Sequence, residues 1–234
     1  MKSLIKKLLR EDLLYHGVTD ATKDEFTMGP LDETMETVES LPENTALFVK
    51  VKGNGYNFHL FEPTAKKVYA TLSAEYNESK SDFFYVIAVG AEKGFGPLIY
   101  ELAMMYLNTK GYMLTPMRSG DVRSGAWNVW GKFYDRGNMI MKTLSKDDPK
   151  FAFNILHGDD WNNIPPEDLA QEKAEFFSEV TPEEQRDLII FNTGFSMKPN
   201  DDFFTILKRS EEYSEEISNL VDTKGQKLWR EKYS

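Results

Sequence analysis

Two glycines flank Phe95 at the point where an apolar run gives way to a helical pattern: Phe83-Phe-Tyr-Val-Ile-Ala-Val-Gly-Ala-Glu-Lys-Gly-Phe-Gly-Pro-Leu-Ile-Tyr. Lacking Cβ atoms, Gly94 and Gly96 let backbone N–H groups converge, and a helix opening at Pro97 adds the partial positive charge of its N-terminus. Pro97 suits the first helical position, where a missing N–H costs least. The chemistry offered is anion binding, and a pyrophosphate is a natural occupant. A lone Gly-x-Gly also serves as an ordinary tight connection, so its surroundings decide. Ile99 stands where a dinucleotide fingerprint needs its third glycine, and no Gly-x-x-x-x-Gly-Lys loop occurs anywhere.

Other chemistries find less support. The chain has no cysteine, which removes disulfide scaffolds, Cys-ligated metals and Cys nucleophiles together, and fits a reducing cytoplasm. His16, His59 and His157 are far apart and form no paired metal motif, so no metal site is expected. His157-Gly158-Asp159-Asp160 reads as an acidic turn before it reads as a cation site. A Gly-x-Ser-x-Gly elbow is absent. Met104, Met105, Met139 and Met141 read as core residues. Glu211, Glu212, Glu215 and Glu216 read as a solvated helix face, with partner binding the sharper alternative. A formal charge of −10 argues against general nucleic-acid binding and would steer a cationic acceptor toward the protein.

The elements that must position the glycine turn follow from periodicity. Leu4, Ile5, Leu8, Leu9 and Leu13 share a helical face, read as a terminal helix docked on the core. Residues 19–44 are acidic and broken by Gly29-Pro30 and Pro42, with a short helix over Asp32 to Ser40. Ala46 to Lys52 alternates as a strand, Gly53-Asn54-Gly55 signals a hairpin, and Tyr56 to Phe61 alternates again. Lys66 to Glu75 places Val68, Ala70 and Leu72 on one face, and Asp82 to Val89 reads as a buried strand. Pro97 to Thr109 is helical, with Leu98, Leu102, Met105 and Tyr106 on one face. Tyr112 to Thr115 is a short strand, Val122 to Arg136 a helix, and Met139 to Met141 and Phe151 to Leu156 further short strands. Beyond these the chain reads as mainly helical. Thr181-Pro182-Glu183-Glu184 opens one helix as a capping box, and Asp201 to Leu220 forms another. No run approaches the roughly 18 apolar residues of a membrane span, and the first residues do not form a secretion signal.

A meander feeding a phosphate loop, then helix, strand and helix, resembles the GNAT superfamily of N-acetyltransferases. The loop of that family reads Gln/Arg-x-x-Gly-x-Gly/Ala, and the matching stretch is Ala91-Glu92-Lys93-Gly94-Phe95-Gly96. A helix after the fifth strand ends there in an aromatic-Tyr pair, and Ala126-Trp-Asn-Val-Trp-Gly-Lys-Phe-Tyr-Asp-Arg-Gly137 is similar to it. The wording Gly-Phe-Gly-Pro-Leu-Ile-Tyr, followed by Thr115-Pro-Met-Arg-Ser119 and Val129-Trp130, looks most like GNAT-like proteins of tailed bacteriophages. The match covers about residues 45 to 137. Ala91 departs from the Gln/Arg position, Glu92 adds a negative charge that Lys93 offsets, and Pro97 removes a donor.

The resemblance implies an α+β fold: a GNAT-like central mixed sheet flanked by helices, with a helical C-terminal extension. The expected segments are 1–44, helical or irregular; 45–157, the acyl-CoA-binding domain; and 158–234, the extension. The implied cosubstrate is acetyl-CoA, held by Val89, Lys93, Gly94, Phe95 and Gly96. Tyr134 would protonate the departing thiolate. Transfer to an amine also needs a base; Phe84 to Val89 offers no carboxylate, but Asp82 at the start of that strand and Glu75 at the end of the preceding one could act directly or through water. The implied acceptor is an amine-bearing small molecule or a protein lysine. A homo-oligomer or protein partner would use the C-terminal helices, and the expected location is the cytoplasm, that of the host if phage-encoded. The alternative is a non-catalytic GNAT-like phage protein acting in interaction, as a virion or host-takeover factor.

Overall fold

Alternating side chains from Ala46 onward build an antiparallel meander. In the computed structural model, which describes residues 41, 42, 44–76, 82–116, 124–143, 165, 168, 171 and 182–233, β1 (Ala46–Lys52) turns through Gly53 at φ 58° into β2 (Gly55–Glu62). β3 (Lys67–Tyr76) and β4 (Phe83–Ala91) follow, each antiparallel to its predecessor. Then come α1 (Gly96–Thr109), β5 (Met113–Thr115), α2 (Ser124–Asp135), β6 (Ile140–Thr143), α3 (Pro182–Phe191), β7 (Thr193–Ser196), α4 (Asp201–Glu211) and α5 (Glu215–Tyr233). The seven strands form one mixed sheet in the order β1-β2-β3-β4-β5-β7-β6, with β5 parallel to β4 and β7 antiparallel to β5. This mixed architecture is compatible with the expected α+β class.

The described elements divide into two compact units that interleave along the chain. One holds β1 to β5, α1, the second half of β7, α4 and α5; the other holds α2, most of β6, α3 and the first half of β7.

In the larger unit, α1 packs on one sheet face, where Tyr106 meets the rings of Tyr56 and Phe58. Its apolar residues are not confined to the expected stripe. Pro97 through Met105 and Leu107 are all buried, so α1 is enclosed nearly all round. On the other face, α5 supplies Val221 and Leu228 to a cluster with Ala46, Phe48, Phe61 and Val68. Val68 therefore departs from the face expected for it. A bulge between Leu60 and Phe61 sets Phe61 opposite Val68 but Leu60 opposite Ala70, so Tyr69 is the extra residue and the side-chain alternation resets there. α5 approaches the sheet closely. A Cβ added at Gly90 would lie 2.8 Å from the Trp229 Cα, and one added at Gly225 would enter the His59 ring.

The C-terminal region differs from a purely helical extension, because Thr193–Ser196 joins the sheet and Phe195 pairs with Leu114. The single helix expected over Asp201 to Leu220 is two, broken at Glu212-Tyr213-Ser214. Asn200 caps α4, its Oδ1 accepting the Phe203 N–H at 2.9 Å, while Asp201 and Asp202 at the start and Lys208 and Arg209 at the end suit the helix dipole. Met104, Met105 and Met139 are buried as expected, but Met141 is 44% exposed. The acidic run Glu211, Glu212, Glu215, Glu216 is exposed. In the smaller unit Val129, Trp130 and Phe133 are buried, and Trp127 packs on Phe191 with centroids 4.4 Å apart. The expected helices over 4–13 and 32–40, the strand over 151–156, Thr181, His16 and the His157-Gly-Asp-Asp turn lie outside the described residues.

Candidate functional site

β4 is paired with β3 along its length but with β5 only through Phe83, Phe84 and Tyr85. Among the described residues, no strand covers the second edge of β4 from Val86 to Ala91. The strand also bulges. Ser73 faces Ala88 and Ala74 faces Val86, which leaves Ile87 as the extra residue, 37% exposed. A bulge at an open edge turns backbone donors and acceptors outward, where an extended ligand bearing amides can take them up as a further strand would.

The strand runs straight into the glycine turn. The Glu92 N–H donates to the Tyr69 carbonyl at 2.8 Å, and the Phe95 N–H donates back to the Glu92 carbonyl at 3.0 Å. Gly94 sits at φ 90°, a conformation that a side chain resists, so this glycine is required by the backbone. Gly96 has no such requirement. Among the described residues, a Cβ at either position would meet nothing within 4 Å, so they leave the space above the turn open. Phe95 caps α1 without a side-chain acceptor, and no acidic residue lies in the first turn. Pro97 has no N–H and the Ile99 N–H donates to the Phe95 carbonyl, so Gly96 and Leu98 carry the leading N–H groups of α1, and the positive end of the helix dipole lies beside the turn, an arrangement suited to an anion.

The charge beside the turn is balanced by a residue that local spacing does not reveal. Glu92 lies 3.9 Å from Lys67 on β3, a charge that adds to that of its neighbour Lys93. Both groups are well exposed, so the pair adds about 0–1 kcal/mol of stability, yet it neutralises the carboxylate nearest the loop. Tyr69 stacks on Phe95 with centroids 4.6 Å apart at 17°, and Lys67 Nζ stands 5.0 Å from the Tyr69 centroid. Burial, then the charge of Glu62 and a hydrogen bond to it, push the Tyr69 hydroxyl above its ordinary range. Lys67 and Tyr69 belong to the loop's surroundings only through strand pairing, and no motif would have singled them out.

Val89, Lys93, Gly94, Phe95 and Gly96 therefore share one continuous strand, turn and helix start. Val89 is half-buried opposite Leu72. The two carboxylates lie toward the other end of β4. Asp82 precedes the strand, its carbonyl accepting the Met113 N–H at 2.9 Å, and Glu75 is exposed on β3 opposite Tyr85. Nine residues at about 3.3 Å each set Asp82 roughly 30 Å from the loop, with Glu75 nearer. Tyr134 belongs to the smaller unit. It is half-buried in the last turn of α2, with the Arg186 guanidinium 5.8 Å from its ring centroid.

A second polar constellation lies under α5. His59 Nδ1 accepts from Thr71 Oγ1 at 2.9 Å when its Nε2 carries the proton toward Asp222 Oδ1 at 3.2 Å. Asn57 Nδ2 also donates to Asp222 Oδ1 at 3.1 Å, Gln226 Nε2 donates to Oδ2 at 3.1 Å, and Ser73 Oγ donates to Asn57 Oδ1 at 2.7 Å. The hydrogen bond from His59 comes first in holding the Asp222 carboxyl far below the usual carboxylate range. Burial opposes it, while Asn57, the charge of His59 and Lys50 assist. The hydroxyl–imidazole–carboxylate order is that of a nucleophile relay. However, His59 is 2% and Thr71 5% exposed, and Gly225 covers the ring. The network fastens α5 to the sheet; it does not present a nucleophile to substrate.

Among the described residues, no three His, Cys, Asp or Glu side chains gather as a metal site, and no helix is long and apolar enough to cross a membrane. Comparison with protein-family models, with curated proteins and with solved structures finds no match to this chain.

Proposed function

We propose that this chain binds acetyl-CoA along the open edge of β4 and transfers its acetyl group to a primary amine, on a small molecule or a protein lysine. One observation supports this above the others: a bulged strand whose second edge no described strand covers leads into a left-handed glycine turn at a helix N-terminus. An extended arm with amides would lie on Val86–Ala91, and its pyrophosphate would sit on the turn from Lys93 to Gly96, meeting the N–H groups of Lys93, Gly94 and Gly96. In the transfer, the neutral amine nitrogen forms a bond to the thioester carbon as the C–S bond breaks. Glu75 or Asp82 takes the proton of the incoming ammonium, directly or through water, Tyr134 gives the thiolate its proton, and the proton that the nitrogen sheds as the amide forms returns to Tyr134 through solvent. Those three roles rest on the resemblance to N-acetyltransferases of the GNAT superfamily.

A second reading, a GNAT-like scaffold kept for interaction, draws on Glu92 and on the Phe95 N–H, which the Glu92 carbonyl already occupies. Titration calorimetry separates the two. Acetyl-CoA is expected to bind the parent protein, and Gly96→Glu, which puts a charged side chain into the space above the turn without straining the backbone, is expected to abolish binding while the protein still melts cooperatively. No heat of binding at millimolar acetyl-CoA would overturn the enzyme reading.

A further inference from the structure

Arg186 on α3 holds the last turn of α2 from three sides. Its Nη2 donates one proton to the Gly131 carbonyl at 3.0 Å and the other to Asp135 Oδ2 at 2.6 Å, and the guanidinium lies over the Tyr134 ring at 5.8 Å. Gly131 and Asp135 bracket Tyr134 in sequence, three residues before it and one after. The planar guanidinium thus spans the single helical turn from which Tyr134 projects. The hydrogen bond to Asp135 is the largest influence that raises the Arg186 pKa further. A cation facing an aromatic ring while its own protons are tied to the backbone and a carboxylate restricts the ring's rotamer as well as the helix end.

We propose that Arg186 is a positioning residue for the Tyr134 hydroxyl. This rests on the reading that Tyr134 is the proton donor to the thiolate. A proton donor works only when held in place, and a displacement near 1 Å can cost on the order of 10²-fold in rate. Lysine could donate to the same two acceptors, but its compact ammonium cannot reach them and stand beside the Tyr134 ring as the broader guanidinium does, so it replaces the clamp only in part.

The test uses the full chain, acetyl-CoA, an amine acceptor found by screening, and thiol release as the readout. Arg186→Gln is expected to lower kcat about 10- to 100-fold while KM for acetyl-CoA stays within about twofold. Arg186→Lys, the milder change should Gln perturb folding, is expected to recover only a small part. Guanidinium ion added at a sub-denaturing concentration to Arg186→Ala is expected to restore part of kcat. In a Tyr134→Phe background, Arg186→Gln is expected to lower turnover no further, because the hydroxyl it positions is gone. An equal loss in both backgrounds would mean that Arg186 only supports the fold, and overturns the proposal. A parent whose turnover needs the Tyr134 hydroxyl but not Arg186 overturns it while leaving the donor role standing. Turnover unaffected by Tyr134→Phe, or no thiol release from the parent with any acceptor, overturns both.

Discussion

Replacing Gly225 by alanine sets two effects of opposite sign against each other. Within a helix, alanine is favoured over glycine by about 0.8–1 kcal/mol, so propensity alone predicts a more stable protein. Packing predicts the reverse. The new methyl would overlap His59 Nδ1 and Cε1 and stand 3.1 Å from Thr71 Oγ1. Relief requires either lifting α5 from β2 and β3 or turning the imidazole out of its bonds to Thr71 and Asp222. Overpacking a tight core costs about 1–3 kcal/mol. Breaking a buried charge-assisted hydrogen bond adds about 1.5–3 kcal/mol. Subtracting the helix gain leaves a net loss of roughly 2–5 kcal/mol. At about 2–4 °C per kcal/mol for a chain of this size, Tm falls by roughly 4–20 °C. Urea denaturation followed by far-UV circular dichroism measures the loss directly. The decisive control is the same substitution in a His59→Ala background, where the clash is gone and Gly225→Ala should stabilise. A Gly225→Ala protein as stable as the parent, or an equal loss with and without His59, would refute the reasoning.

Three further expectations are more direct. Asp222→Asn should destabilise the protein at neutral pH. Because the folded carboxyl titrates far below its unfolded value of about 3.9, the contribution is complete above that pH and is lost as pH falls toward the folded value. The gap in unfolding free energy between parent and variant should therefore narrow below about pH 4; a gap constant from pH 7 to pH 2 would contradict it. Asn200→Ala should cost about 1 kcal/mol by removing the cap of α4, and Asn200→Ser should recover most of it in the same denaturation assay. Tyr134→Phe should leave acetyl-CoA affinity unchanged by calorimetry and lower thiol release by about 10²- to 10⁴-fold.

The elements closest to the glycine turn were legible because their signals are local. β1 occupies the expected residues, since its alternation and the Gly53-Asn54-Gly55 turn both lie within a dozen positions. The glycine turn was visible for the same reason, although only Gly94 proves to need its residue type. What escaped depends on distant pairing. β7 is four residues long, Thr-Gly-Phe-Ser, and becomes a strand only beside β5. The bulges at Tyr69 and Ile87 reset the alternation that periodicity assumes to be unbroken. The break between α4 and α5 did leave a trace. Ser214 followed by Glu215 and Glu216 is a cap with an acidic first turn, and the Ile217 N–H reaches Ser214 Oγ at 3.4 Å. Without an intervening Gly or Pro, the apolar periodicity masked it. His59 offered no sign of its part, because its carboxylate partner stands 163 residues away.

That separation has a bearing on how the protein comes into being. The hairpins of β1 to β4 can form as soon as they are synthesised, since each contacts its neighbour in sequence. Among the described residues, their face with Phe48, Phe61 and Val68 around a polar patch of Asn57, His59 and Thr71 receives Val221 and Leu228 only when α5 is made. At about 5–20 residues per second, the 163 residues from His59 to Asp222 take roughly 8–30 s to add. For that interval a nascent chain displays an apolar sheet face on which Asn57 and His59 still lack the Asp222 carboxylate, a natural target for a chaperone and a hazard where translation stalls. Synonymous changes that slow elongation between β4 and α5 should lower the yield of folded protein without altering the stability of the molecules that finish.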